Sequence, residues 1–271
     1  VGKTTLAYNL AAAHARSGDD VLVVDFDPQD AGLTDHAGLV DLKKQGGDNI
    51  VKHLVKQPDG PLDDVVHEVE GEGFDLIPTH NMLTGLEDIM HHSQDQFGED
   101  FDPVIQLTRV LQEWDVQNKY DILLVDCPAT AGIHIKMALY MTRQVLVPVS
   151  VDPKGTESIS GIQSALRSLG DQHDFDPAIL GIIPNKVEYG TIVSDAFFEE
   201  LDNHDYNVPT ELRQRKALFA SCWAANVSIF SFADEVRDLY DYEGNTLNKI
   251  RYLADIITGR ESLDSEIDPG E

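Results

Sequence analysis

Cysteine is nearly absent from these 271 residues: Cys127 and Cys222 stand far apart and match neither a disulfide framework nor metal-ligand spacing. That excludes a disulfide-stapled scaffold, and a reduced, intracellular setting is expected. Long hydrophobic runs are missing too. No apolar stretch approaches the roughly 18 residues of a membrane span, and nothing resembles a signal peptide. Positive charge is scarce: 20 Lys and Arg face 48 Asp and Glu, a net of −28 at neutral pH. The acids are spread along the whole chain, so the charge is a property of the surface. Such a surface resembles that of proteins working in molar salt, where charges are screened within about 3 Å. A halophilic cytoplasm is the expectation, with an ordinary acidic protein as the alternative. What is present is globular in kind: 42% apolar and 25% charged residues, in a length that suits one large domain with a buried core.

Apolar patterning organises the chain. "TTLAYNLAAAHARS" (4–17) is rich in Ala and Leu, with Leu6, Leu10 and Ala13 on one face, which predicts a helix stopped by Gly18. "VLVVD" (21–25) is a continuous run with β-branched residues, as expected of a strand covered on both faces. Similar runs predict strands at 74–78, 121–126, 144–149 and 179–184, separated by helices at 104–117, 156–169 and 194–203. The alternation implies an α/β fold, a doubly wound and mainly parallel sheet with helices on both faces. Polar pieces at 45–48, 57–64 and 93–103 read as surface loops. No repeat or linker is visible, so residues 1–260 are expected to form one domain and 261–271 an acidic C-terminal tail.

The chemistry gathers at three places. "VGKTT" (1–5) opens the first helix and matches the second half of a phosphate-binding loop, G-x-x-x-x-G-K-[ST]. Backbone N–H groups and the helix dipole favour a phosphate there; Lys3 would add a mobile positive charge and Thr4 a hydroxyl for Mg²⁺. "VVDFDPQ" (23–29) sets Asp25 and Asp27 at the carboxyl end of a strand, and "LLVDCPAT" (123–130) does the same for Asp126. In open α/β sheets, ligands bind at those ends. Each piece has a plainer reading alone: strand-end aspartates often cap the next helix, and Cys127 reads as a small buried hydrophobe. Together they supply the cradle, metal and water positioning that phosphoryl transfer requires. His80, His91 and His92 lack metal-ligand spacing and read as a solvated loop. Trp223 and "NVSIFSF" (226–232) read as core or as a buried dimer contact.

These motifs resemble the ParA/Soj branch of the deviant Walker A ATPases, in the ParA/MinD superfamily of P-loop NTPases, whose loop reads K-G-G-V-G-K-T-T. The likeness covers essentially the full chain: "VPVSVDPKGTESISGI" (147–162), "GIIPNKV" (181–187) and "VPTELRQRKAL" (208–218) fall where the family has comparable segments. The D-x-D-P-Q form is similar to ParA rather than to MinD. The resemblance implies that Gly2 belongs to the loop, that Lys3 binds the β/γ-phosphates, Thr4 the Mg²⁺ and Thr5 the α-phosphate. It implies that Asp27 orients the attacking water, that Asp25 lies near the metal, and that Asp126 is the Walker B acid, holding Mg²⁺ through water. Asn185 and the Pro209 segment would read and cover adenine. The implied protein is a Mg-dependent ATPase with ATP and Mg²⁺ as cofactors, dimerising on ATP. It would act in plasmid or chromosome partitioning with a ParB-like partner, in the cytoplasm on nucleoid or plasmid. The alternative is a nucleotide-dependent positioning, scaffold or regulatory protein that does not act on DNA. The front of the loop and its preceding strand do not stand in this sequence. In the family that strand lies centrally, next to the Walker B strand, so an N-terminally truncated chain lacking its first strand is expected.

DNA and membrane can be weighed from the residues. The densest basic cluster is Arg213, Arg215 and Lys216 in "ELRQRKAL", a candidate contact for non-specific DNA or simply a solvated helix face. A net of −28 opposes a general attraction to phosphates, and salt weakens it further. No membrane partner is expected: the stripe Leu247, Ile250, Leu253 and Ile257 reads as core-facing, and the acidic tail would be repelled by anionic lipid.

Overall fold

The computed structural model describes residues 2–129, 132–152, 155–204 and 206–260. Thr130, Pro153, Lys154 and the expected tail, 261–271, lie outside the described residues. The first half of the chain runs α1 (Lys3–Arg16), β1 (Val21–Asp25), α2 (Leu33–His36), α3 (Ile50–Leu54), β2 (His67–Val69), β3 (Phe74–Ile77), α4 (Leu86–Phe97), α5 (Gln106–Glu113) and β4 (Ile122–Asp126). The second half runs α6 (Ile133–Thr142), β5 (Gln144–Ser150), α7 (Gly155–His173), β6 (Ala178–Val187), α8 (Ile192–Asn203), β7 (Leu212–Arg213), α9 (Lys216–Ala225), α10 (Ile229–Ser231) and α11 (Asp241–Ile257).

The strands pair as β2-β3-β1-β4 and as β5-β6-β7, parallel throughout except for β2 against β3. β1 shows why helices cover both faces. Side chains alternate along a strand, so Leu22 and Val24 enter a core with Ile50, Leu54, Ile77, Phe101 and Leu107. Val21 and Val23 enter another, with Tyr8, Leu10, Leu76, Phe230 and Ile250. All five residues of β1, flanked on both sides, are buried; of β4, which pairs only with β1, only Asp126 is. Among the described residues no strand lies between β4 and β5, each of which ends its sheet.

Several expectations shift. The loop expected at 93–103 is helical up to Phe97, because Leu86, Met90 and Ser93 bury one face of α4 while its polar residues stay in water. His91 and His92 are therefore on an exposed helix face, not a loop. His80 is no solvated side chain: it is buried, Met82 N donates to its Nδ1 at 3.2 Å, and Nε2 meets Gln45 O at 3.3 Å. Ile250 and Leu253 are buried and Leu247 and Ile257 pack on the same core, as the stripe predicts. Ile229, Phe230 and Phe232 are core, and half-buried Trp223 packs on His36, ring centres 4.0 Å apart and planes tilted by 39°. No single described helix is long and apolar enough to cross a membrane.

Candidate active site

The site begins in the ladder between β1 and β4, whose register sets Asp25 beside Asp126. Phe26 N donates to Asp126 O at 2.8 Å and carries the pairing one step further. α1 starts at the same end of the sheet. Gly2, before its first turn, has φ +98°, and a Cβ there would run into the Asn185 amide; both demands select glycine. No acid stands in the first turn of α1, so its leading N–H groups and dipole remain available to an anion.

Three carboxyls meet one ammonium here. Asp126 is buried, accepts the Thr4 hydroxyl, and feels the charges of Asp25, Asp27 and Lys3. Burial, and after it the charge of Asp25, push its carboxyl up to about 7. Burial likewise raises Asp25 to about 6, against the bonds it accepts. The structure thus brings together Lys3, Thr4, Asp25, Asp27 and Asp126. Cys127, next in sequence, has its thiol pushed up by burial and stays protonated.

The residues fit a divalent cation. Asp126 Oδ2 is buried without a hydrogen-bond partner, and the charges of Asp25, Asp27 and Lys3 all act on this carboxyl. No group of three or more His, Cys, Asp or Glu among the described residues could hold a metal unaided, so water or phosphate oxygens would have to complete the shell. Asp25, expected near the metal, is committed elsewhere. Its Oδ1 accepts Asp27 N at 3.1 Å and its Oδ2 accepts Thr34 N at 2.9 Å and Thr34 Oγ1 at 2.6 Å. Asp25 therefore organises its own loop rather than offering a free ligand oxygen.

Two residues that brace that loop from outside it carry no sequence signal. Thr34, wholly buried, bridges Asp25 to Thr79 N, which donates to Thr34 Oγ1 at 2.8 Å. Lys43, whose side chain is 2% exposed, donates to Gln29 O at 3.1 Å and contacts Asp30 and Asp35. Together they fix the segment from which Asp27 projects, with Gln29 N donating to Asp27 Oδ1 at 3.1 Å. Neither belongs to a spacing motif.

Beside Gly2 lies a cavity of about 180 Å³, lined by Thr5, Leu6, Asn185, Lys186, Phe219 and the 212–216 segment. Gly2, Thr5 and Asn185 are therefore neighbours, as expected. Arg213, Arg215 and Lys216 line the same cavity, and they do not form one helix face: Arg213 ends β7 and Lys216 opens α9. Pro209 lies elsewhere. It is not among the lining residues; its ring packs on Gly181, where a Cβ would come within 2.8 Å of it.

Residues 1–177 match the family described as an AAA domain. The chromosome-partitioning ATPase Soj of Thermus thermophilus is 29% identical over 207 residues, 75% of this chain and 72% of the relative. The chromosome partitioning protein ParA of Myxococcus xanthus is 27% identical over 267 residues, 97% of this chain and 84% of the relative. A Cyanothece McdA–ATP complex matches with TM-score 0.77 at 18% identity, covering 96% of this chain and 93% of that one. The septum site-determining protein MinD of Pyrococcus horikoshii, complexed with Mg-ADP, matches with TM-score 0.68 at 20% identity, covering 96% and 93%.

Proposed function

The chain belongs to the AAA domain family and to the ParA/MinD group of P-loop NTPases, and on that premise we propose that it is a Mg-dependent ATPase of the ParA type. The observation that carries this reading is the meeting of Lys3 and Thr4, at the start of α1, with Asp27 and Asp126 at the ends of β1 and β4. The α1 N-terminus and Lys3 would bind the triphosphate, and the cavity lined by Thr5 and Asn185 would take the base. Thr4 and Asp126 would hold Mg²⁺, which supplies charge neutralisation to the phosphate oxygens. Asp27 orients the attacking water, its carboxylate aimed by Gln29 N and its backbone by Asp25. Catalysis here is positioning and electrostatics.

An ATP-driven dimer, a ParB-like stimulating partner and DNA held through Arg213, Arg215 and Lys216 complete the reading, with partitioning of a plasmid or chromosome as its outcome. Asp27→Ala tests the chemistry: ATP binding is expected to persist while turnover is lost, and normal hydrolysis by that variant would remove Asp27 from its role. The second reading is a nucleotide-dependent positioning protein that ignores DNA, favoured by the net charge of −28. Duplex binding that needs ATP and disappears with Arg213→Glu supports partitioning. Normal nucleotide binding with indifference to DNA at every salt supports the second.

A further inference from the structure

Lys186, Arg213, Arg215 and Lys216 line the cavity beside Gly2, in a chain with only 20 Lys and Arg in all. From that concentration of charge a ladder of guanidinium and tyrosine runs outward. Arg213 lies 4.5 Å from the Tyr189 ring centre and Arg215 lies 5.0 Å from that of Tyr242. Tyr242 and Tyr240 stack with centroids 5.5 Å apart and planes 17° from parallel, and Arg237 lies 4.9 Å from the Tyr240 ring centre.

The rings belong to the surface. Tyr189, Tyr240 and Tyr242 are 50%, 60% and 54% exposed. Tyr189 and the cation beside Tyr240 are nevertheless held in place. Tyr189 OH donates to Glu211 at 2.6 Å, and Lys249 holds the same Glu211 oxygen at 2.5 Å. Arg237 grips both oxygens of Glu243, at 2.8 and 2.9 Å. Ordered, half-open aromatic surface contributes little to folding, but its conformational cost of binding is already met.

We propose that this ladder docks single-stranded nucleic acid, its bases stacking on Tyr189, Tyr240 and Tyr242 and its phosphates drawn to Arg213, Arg215 and Lys216. Aromatic rings and guanidinium planes accept any unpaired base, while cations track the backbone. A duplex hides its base faces and can use the cations alone. The charges fix the direction: at the far end Glu243 neutralises Arg237, and Asp238 and Asp241 flank Tyr240, so phosphates belong at the 213–216 end. Salt cancels the attraction to phosphates but leaves stacking in place. An acidic protein in concentrated salt can therefore still hold an unpaired strand. The inference rests on reading Arg213, Arg215 and Lys216 as facing nucleic acid; it does not rest on hydrolysis.

Fluorescence anisotropy with a labelled dT oligonucleotide and with a duplex of equal length, in low and molar KCl, tests it, with ATP binding and circular dichroism measured alongside. The native chain is expected to keep the single strand in molar KCl after losing the duplex. Tyr242→Ala and Tyr189→Ala should each weaken the single strand by about tenfold, Tyr242→Phe should restore it, and ATP binding should not move. Unchanged affinity in both alanine variants overturns the proposal, as does a duplex that outcompetes the single strand in molar KCl, or a single strand that does not bind. Retention of the single strand by a protein that fails to bind ATP supports the ladder and refutes the nucleotide reading instead.

Discussion

Lys43 places a nearly sealed ammonium against the backbone of the loop that carries Asp27. Lys43→Met removes the clamp on Gln29 and leaves Asp35, whose Oδ1 lies 3.3 Å from the Lys43 ammonium, without its cation. A stability loss of about 1–3 kcal/mol is expected, since a charged hydrogen bond is removed from a buried setting, and urea titration measures it. Because Lys43 touches the loop rather than the phosphate cradle, kcat for ATP should fall while the affinity for ATP holds. His36 makes a second prediction. It is packed between Tyr8 and Trp223, at 4.2 and 4.0 Å, and burial pushes its imidazole from 6.5 down to about 4. Between those values the unfolded chain takes up a proton that the folded chain refuses, so acidification favours unfolding. Tm is expected to drop as pH falls from 6.5 toward 4, and His36→Phe, which keeps the stack and removes the proton site, should flatten that drop.

At the scale of elements, α11 depends on one carboxylate. Glu243 bonds Tyr240 N at 3.0 Å at the helix start and pairs with Arg237, whose guanidinium holds it below the usual carboxylate range. Its contribution is present above that range and lost as pH falls through the lowered value. Glu243→Ala should cost about 1–3 kcal/mol, read by calorimetry at neutral pH, with a smaller difference in acid. How far such elements could be seen in the sequence follows from what makes them. β1 was plain because five apolar or strand-end residues are buried on both faces. β2 and β7 were not, because strands of three and two residues exist by pairing with β3 and β6 and carry no pattern of their own. The end of α4 reads as a loop in the sequence because the helix buries only three residues. Lys3, Asp27 and Asp126 announced themselves through motifs, whereas Thr34, Lys43 and the tyrosine ladder act through distances that only folding creates.

For the whole molecule, the excess of 48 acids over 20 bases sets the response to salt. Self-repulsion opposes the compact state and is screened as ionic strength rises. Tm should climb when KCl is raised from about 0.1 M to about 2 M, most steeply at the low end where the Debye length shortens from about 10 Å. A flat or falling profile would contradict that. One feature of the sheet reaches further. The acids Asp25 and Asp126 are neighbours only because β1 and β4 pair in one alignment, and sliding either strand by a single residue would turn its acid to the opposite side of the sheet. On the proposed ATPase reading, correct zippering and competence for catalysis are the same event. A preparation's specific activity would count its properly threaded molecules, and misaligned ones would be silent rather than merely slow.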